Sequence, residues 1–179
     1  ESQLALPAPR VTLPPSLEAL GDRSPHARAL CAAGRSYRDL ARTTRGRFDH
    51  PPDIVARPRS ERELEGLLEH AAQHRLSVIP FGGGTSVAGG VEPELGPEHR
   101  GSMSVDLRAL SGLLDVDLSS RSARIAGGTT GPALEAALGA HGLSLRHYPQ
   151  SFEFSTLGGW IATRAGGHFA TLHTHIDEL

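Results

Sequence analysis

Behind a short apolar stretch, Leu76-Ser77-Val78-Ile79, the chain runs Pro80-Phe81-Gly82-Gly83-Gly84-Thr85-Ser86-Val87. Successive glycines add nothing to core packing and are entropically costly to order. A run of them marks a place where the backbone must come close to something. Bare N–H groups beside a Thr and a Ser hydroxyl suit an anion, most often a phosphate, and so point to a nucleotide or dinucleotide. Two familiar phosphate loops do not fit. Gly84 to Gly89 has the glycine spacing of a Walker A loop, but Gly90 stands at the lysine position. Gly82 and Gly84 match the start of a G-x-G-x-x-G fingerprint, but Val87 takes the third glycine's place. The following Ala88-Gly89-Gly90-Val91-Glu92-Pro93 does not open a helix. From the glycines alone, a flexible turn stands as the alternative.

A second dense stretch runs from Gln150 to Gly167. It combines hydroxyls, paired glycines, Trp160 and Arg164. Arg164 has small neighbours, looks buried, and suits a phosphate or a carboxylate; Trp160 reads as core at a helix start. Arg42, Arg45 and Arg47 read as a solvated basic face, with a phosphate contact by one of them as the alternative. Cys31, in an alanine-rich stretch, reads as a small buried apolar residue. His168, His173 and His175 would offer three imidazoles to a zinc ion, but no fourth ligand pattern accompanies them, and no metal site is expected.

These stretches must be positioned by the elements around them. Residues 1–15, with Pro7, Pro9, Pro14 and Pro15, predict an irregular arm, and Ser16 to Leu20 a short helix. Ser24-Pro25 opens another helix, broken at Gly34, and Ser36 caps a third through Leu40-Ala41. Pro51-Pro52 marks a boundary. Asp53 to Ala56 reads as a strand. Ser60 and Glu63 predict a capping box for a helix with Leu64, Leu67, Leu68, Ala71 and Ala72 on one face. Leu76 to Ile79 is the next strand. Together these have the size of a βαβ crossover, and the glycine loop falls at the C-terminal end of its second strand, where open α/β sheets hold ligands. Ser102 to Leu107 alternates as a strand; Leu113 to Asp117 and Arg121 to Ile125 are two more. Thr130-Gly131-Pro132 opens a helix ending at His141-Gly142. The resulting division is an arm with short helices over 1–50 and an α+β domain over 51–179.

Composition removes several classes. The 179 residues carry a net charge of −2, and the basic residues, all arginine, form no stripe. Nucleic-acid binding by phosphate neutralisation is not expected. No apolar run reaches membrane-spanning length, the N-terminus lacks the plan of a signal peptide, and a single cysteine forms no internal disulfide. A cytoplasmic protein is expected.

Four pieces in succession carry a family likeness: Pro52-Asp53-Ile54-Val55, Ile79 to Val87, Gly128-Thr129-Thr130-Gly131 before a helix, and Phe152 to Trp160 with Thr163-Arg164-Ala165-Gly166. Over residues 20 to 179 the chain resembles the FAD-binding PCMH-type domain of the vanillyl-alcohol-oxidase / p-cresol-methylhydroxylase superfamily. The string from Glu153 to Ala165 is most like the alkyldihydroxyacetonephosphate synthase (alkylglycerone-phosphate synthase) branch and its bacterial FAD-linked oxidase relatives. The resemblance implies an α+β fold with a βαβ subdomain, a mixed or antiparallel one, and an N-terminal helical segment. It implies that Pro80, Phe81, Gly82, Gly83, Gly84, Thr85 and Ser86 wrap the FAD diphosphate. Gln150, Ser151, Phe152, Glu153, Phe154, Ser155 and Thr156 would line the flavin, and Gly158, Gly159, Thr163, Arg164, Ala165 and Gly166 would hold further cofactor atoms. Two positions depart from the synthase pattern: Gln150 replaces an acidic residue and Gly166 a serine.

Superfamily members with covalent flavin attach it through a histidine in or near the glycine loop. Phe81 to Val87 contains none and the synthase branch forms no such bond, so non-covalent FAD is implied and His168 is not an attachment site. The implied reaction is acyl-to-alkoxy exchange on an acyl-dihydroxyacetone phosphate at flavin N5, without net redox, as in ether lipid synthesis. A D-lactate/glycolate-type 2-hydroxy-acid dehydrogenase is the alternative enzyme; a non-catalytic flavin- or nucleotide-binding module is the alternative without catalysis. Catalytic residues and a substrate cap are expected beyond Leu179, so the chain is expected to be truncated and inactive alone. The implied partners are a small-molecule substrate, a second copy in a full-length homodimer, and a membrane surface where the substrate is a lipid.

Overall fold

The computed structural model describes residues 4–167 and 175–179. The chain forms two compact units, Glu1–Asp106 and Leu107–Leu179. Neither unit's edge coincides with the boundary expected near residue 50. The N-terminal segment packs into the first unit because its side chains complete that unit's core and ion pairs.

The first unit is built on a four-stranded sheet of order β1-β2-β4-β3. Its strands are β1 (Gly21–Asp22), β2 (Ile54–Ala56), β3 (Leu76–Phe81) and β4 (Gly101–Asp106). β2, β4 and β3 run parallel, and β1 adds antiparallel to β2. The two strands of the expected βαβ unit are therefore not neighbours, because β4 lies between them. β4 alternates in sequence yet is buried at every position, as a central parallel strand covered on both faces must be. Pro80 sits within β3 without breaking a ladder, since β3 is an edge strand bonded to β4 alone.

Three helices serve this sheet: α1 (Pro25–Leu30), α2 (Tyr37–Thr43) and α3 (Glu61–His74). Ser24, Ser36 and Ser60 cap them by accepting from the N–H groups of Ala27, Asp39 and Glu63. Only at α2 is the box reciprocal, with Asp39 Oδ2 accepting from the Ser36 N–H. At α3 the Glu63 carboxylate turns instead to the Arg59 N–H, at 2.6 Å. On α3, Leu67 and Ala71 are buried, whereas Leu68 is 45% exposed, so the buried stripe is narrower than its leucines suggest. Ser16 to Leu20 forms only a 3-10 turn over Glu18–Leu20.

The arm before this turn is irregular but anchored. Arg10 meets the buried Asp53 through its Nε and Nη2, at 2.9 and 2.8 Å, and through its backbone N–H at 2.9 Å. Burial alone would push the Asp53 carboxyl up; bonds from Arg10 and from the Ser102 N–H outweigh it and hold the group below the ordinary carboxylate value.

The second unit pairs β5 (Leu113–Asp117) with β6 (Ser122–Ile125) as an antiparallel hairpin. Its turn is organised by the Asp117 carboxylate, which accepts from the backbone and hydroxyl groups of Ser119 and Ser120. Two helices follow, α4 (Gly131–Gly139) and α5 (Leu157–Thr163). Leu134, Leu138, Trp160 and Ile176 form the core, with Phe152 and Leu157 packed against it.

Candidate cofactor site

In the first unit, β2, β4 and β3 end at Ala56, Asp106 and Phe81, on one edge of the parallel sheet. The glycine loop leaves from that edge, the ligand side of open α/β sheets. Phe81 points inward at 6% exposure, while Pro80 is exposed. Gly84 adopts φ +64°, in the left-handed region, and a Cβ there would press on the Phe81 ring. The chain's own geometry therefore requires that glycine. Gly82 and Gly83 are not left-handed. Among the described residues, the N–H groups of Gly83, Gly84 and Thr85 find no hydrogen-bond acceptor. Ser86 is engaged, its carbonyl accepting from the Arg35 N–H at 2.8 Å and its hydroxyl from the Ala88 N–H at 3.4 Å. Asp106, 4% exposed, ends β4 with Arg57 Nε at 3.7 Å from its carboxylate.

This loop fits a diphosphate by its own features. Amides that find no acceptor among the described residues, and the Thr85 hydroxyl, follow one another along a glycine-rich backbone.

In the second unit, Gly127 to Gly131 and Thr156 to Gly158 lie against each other. The Leu157 N–H donates to the Thr129 carbonyl at 2.9 Å, the Gly158 N–H to the Gly127 carbonyl at 2.8 Å, and Thr130 bridges Thr156. A Cβ on Gly158 would lie 3.0 Å from the Gly127 carbonyl oxygen, and one on Gly131 would run into Phe152. These glycines let backbone meet backbone. The stretch before α5 winds through turns in which the Phe154 and Ser155 N–H groups donate to the Ser151 carbonyl, at 2.9 and 2.8 Å. Ser155 Oγ donates to the Ser151 carbonyl and accepts from Trp160 Nε1 at 2.7 Å. Phe152 stacks near Trp160, with centroids 6.3 Å apart and planes at 16°. Trp160, 2% exposed, is core as its sequence position suggested.

The proposed residues of this stretch thus divide. Ser155 and Thr156 are buried, and Thr163 Oγ1 is turned back to the Gly159 carbonyl at 2.9 Å. Ser151, Phe152, Gly158 and Ala165 are half-buried; Gln150, Glu153, Phe154, Gly159, Thr163, Arg164 and Gly166 are exposed. Arg164 is not the buried arginine that its small neighbours suggested. It ends α5 in the left-handed conformation, φ 50°, and its 68% exposed side chain pairs with Asp177 at 2.8 Å. His168 and His173 lie outside the described residues.

Two features escaped sequence reasoning. Arg42 is not part of a solvated basic face: its side chain is 13% exposed and binds Asp39, Asp49 and Glu92. Arg45 and Arg47 are exposed as expected. His147, 3% exposed, packs on Trp160 at 5.1 Å, and burial pushes its imidazole pKa down. The spacing of Asp39 and Arg42, three apart on a helix, is the one signal that would have exposed the first.

A parallel sheet with an amide-rich loop at its C-terminal edge, followed by an α+β unit whose helices rest on glycine contacts, defines a cofactor-binding protein of mixed architecture. The chain belongs to the FAD binding domain family, whose profile matches residues 52–179, and its cofactor is FAD. It is 38% identical over 154 residues to alkyldihydroxyacetonephosphate synthase of Trypanosoma brucei brucei, covering 86% of this chain and 25% of that protein. A solved structure of alkyldihydroxyacetonephosphate synthase superposes with a TM-score of 0.84 at 35% identity, over 93% of this chain and 33% of that one. D-lactate dehydrogenase of Archaeoglobus fulgidus is 34% identical over 147 residues, 74% of this chain and 32% of that protein. The fold is thus the α+β FAD-binding domain of the PCMH type, and the named relatives are enzymes. The chain spans about a quarter of the length of the first of these relatives. No helix of the described residues is long and apolar enough to cross a membrane.

Proposed function

We propose that this domain serves an alkyldihydroxyacetonephosphate synthase-like enzyme and holds its FAD without a covalent bond. In this reading Pro80, Phe81, Gly82, Gly83, Gly84, Thr85 and Ser86 receive the diphosphate. Gln150 to Thr156, with Gly158, Gly159 and Thr163 to Gly166, supply contacts to the rest of the cofactor. The observation that carries the diphosphate assignment is the run of amides from Gly83 to Thr85 that find no acceptor among the described residues. Support for the synthase reading comes from the string Glu153 to Ala165 and from the identity to the trypanosomal synthase over 86% of the chain. When bound, the flavin supplies the electrophilic and redox chemistry. This chain's part is to grip and orient it: loop amides neutralise the diphosphate, and the packed Trp160–Phe152 pair fixes the second stretch on its core.

The substrate would be a small acyl-dihydroxyacetone phosphate, acted on by parts of the protein outside this chain. A cytoplasmic location, a homodimer and peripheral contact with the membrane that supplies a lipid substrate belong to the same reading. The likeness to D-lactate dehydrogenase favours a second one, hydride transfer from a 2-hydroxy acid. The whole protein should show flavin absorption that acid precipitation releases to the supernatant; colour kept in the pellet contradicts non-covalent binding. Steady bleaching of the flavin by D-lactate or glycolate would overturn the synthase reading in favour of the second.

A further inference from the structure

The glycine loop is braced by a segment that precedes the family match. Phe81 and Val91, at the loop's two stems, share a buried cluster with Ala27 and Cys31 of α1 and Val55 of β2. At mid-loop the Ser86 carbonyl accepts from Arg35, and Gly34 lies so close that any Cβ there would overlap that carbonyl. At the exit, Arg42 of α2 grips Glu92 with both terminal nitrogens, at 3.0 and 2.9 Å. The same guanidinium donates to Asp39 at 2.8 Å and to Asp49 at 3.0 Å, and Asp39 is itself locked by the reciprocal cap with Ser36. A two-pronged arginine–carboxylate pair fixes orientation as well as distance, which an ammonium group does not.

The loop between these anchors needs such help. Five of the nine residues from Gly82 to Gly90 are glycine, so an unbraced loop would lose much backbone freedom on closing around a ligand. Bracing it beforehand removes part of that loss from the binding step.

We propose that Arg42 is a positioning residue for the cofactor: by clamping Glu92 to α2, it preorganises the glycine loop for the FAD diphosphate. This rests on the placement of the diphosphate at that loop. A mere staple would weaken the fold and every ligand alike, whereas a positioning clamp acts on ligands that carry the diphosphate.

The test titrates the whole apoprotein with FAD, ADP and riboflavin, following flavin fluorescence and calorimetry, for the native protein and for Arg42→Met, Glu92→Gln and Arg42→Lys. Arg23→Met, which breaks the pair with Glu18, is the control. Arg42→Met and Glu92→Gln should weaken FAD and ADP about tenfold, the worth of one charge-assisted hydrogen bond. They should leave riboflavin unchanged and speed amide exchange over residues 82–92. Arg42→Lys keeps the charge and loses the fork; it guards against a misfolded Arg42→Met and should weaken FAD about threefold. Unchanged FAD affinity in these variants, or an equal loss for riboflavin, overturns the proposal. A native protein that takes up neither FAD nor ADP overturns the diphosphate placement instead, before any variant is compared.

Discussion

The two units use glycine for opposite purposes. In the first, Gly82 and Gly83 leave the edge of a parallel sheet without a left-handed backbone, and the Gly83 amide finds no acceptor among the described residues. In the second, Gly131 and Gly158 are filled in by other parts of the same unit, and added atoms would strike backbone or the Phe152 ring. In the proposed reading one set serves a ligand and the other serves packing, so substitutions should separate affinity from stability.

The largest effect is expected in the second unit's core. Trp160→Ala should cost about 3–5 kcal/mol of stability, because a large buried ring is removed and the site has little freedom to collapse. Denaturant unfolding checks it; a loss under about 1 kcal/mol would mean that Phe152 and His147 do not depend on the indole. Gly158→Ala forces a Cβ against the Gly127 carbonyl and should cost about 1–3 kcal/mol.

Gly83→Ala is the contrasting change. Its backbone is not left-handed, so stability should stay within about 0.5 kcal/mol, while FAD affinity falls about tenfold through lost amide contacts. Equal responses of Gly83 and Gly158 in both assays would erase the comparison.

Acid should probe the anchor of the N-terminal arm in the first unit. The Asp53 carboxyl has its pKa lowered in the folded state from an ordinary 3.8. Its contribution is therefore present above that value and is lost as pH falls from about 3.8 through the lowered folded value. Asp53→Asn should flatten the acid limb of the first unit's stability, measured by urea unfolding across that pH window. The smallest effect is expected at Arg164→Gly. Glycine suits the left-handed helix end, so the melting temperature should hardly move. A fall in FAD affinity without a change in melting would support cofactor contact by this side chain; unchanged affinity would leave it only the pairing with Asp177.

Much of this was legible in the chain. Ser24, Ser36 and Ser60 marked three helix starts because capping is a local interaction among residues three apart. The start of β3 and the glycine loop behind it followed from an apolar run meeting glycines, although the strand runs on through Pro80 and Phe81. The reading of β4 was less complete: its alternation indicated a strand but not burial on both faces, which depends on the elements that cover it. Arg42 looked like one of three solvated arginines because its carboxylates include Glu92, fifty positions away. Arg164 looked buried because small neighbours in sequence do not reveal whether the tertiary structure covers it; its side chain is exposed and pairs with Asp177.

By itself the sequence determined the local elements and the chemical character of the two glycine stretches, since caps, turns and uncovered amides arise from neighbouring residues. Only the tertiary structure decided the rest: β4 entering between β2 and β3, the N-terminal segment bracing the glycine loop, and which glycines face another backbone. These depend on contacts between residues far apart in the chain, whose pairing no local pattern encodes.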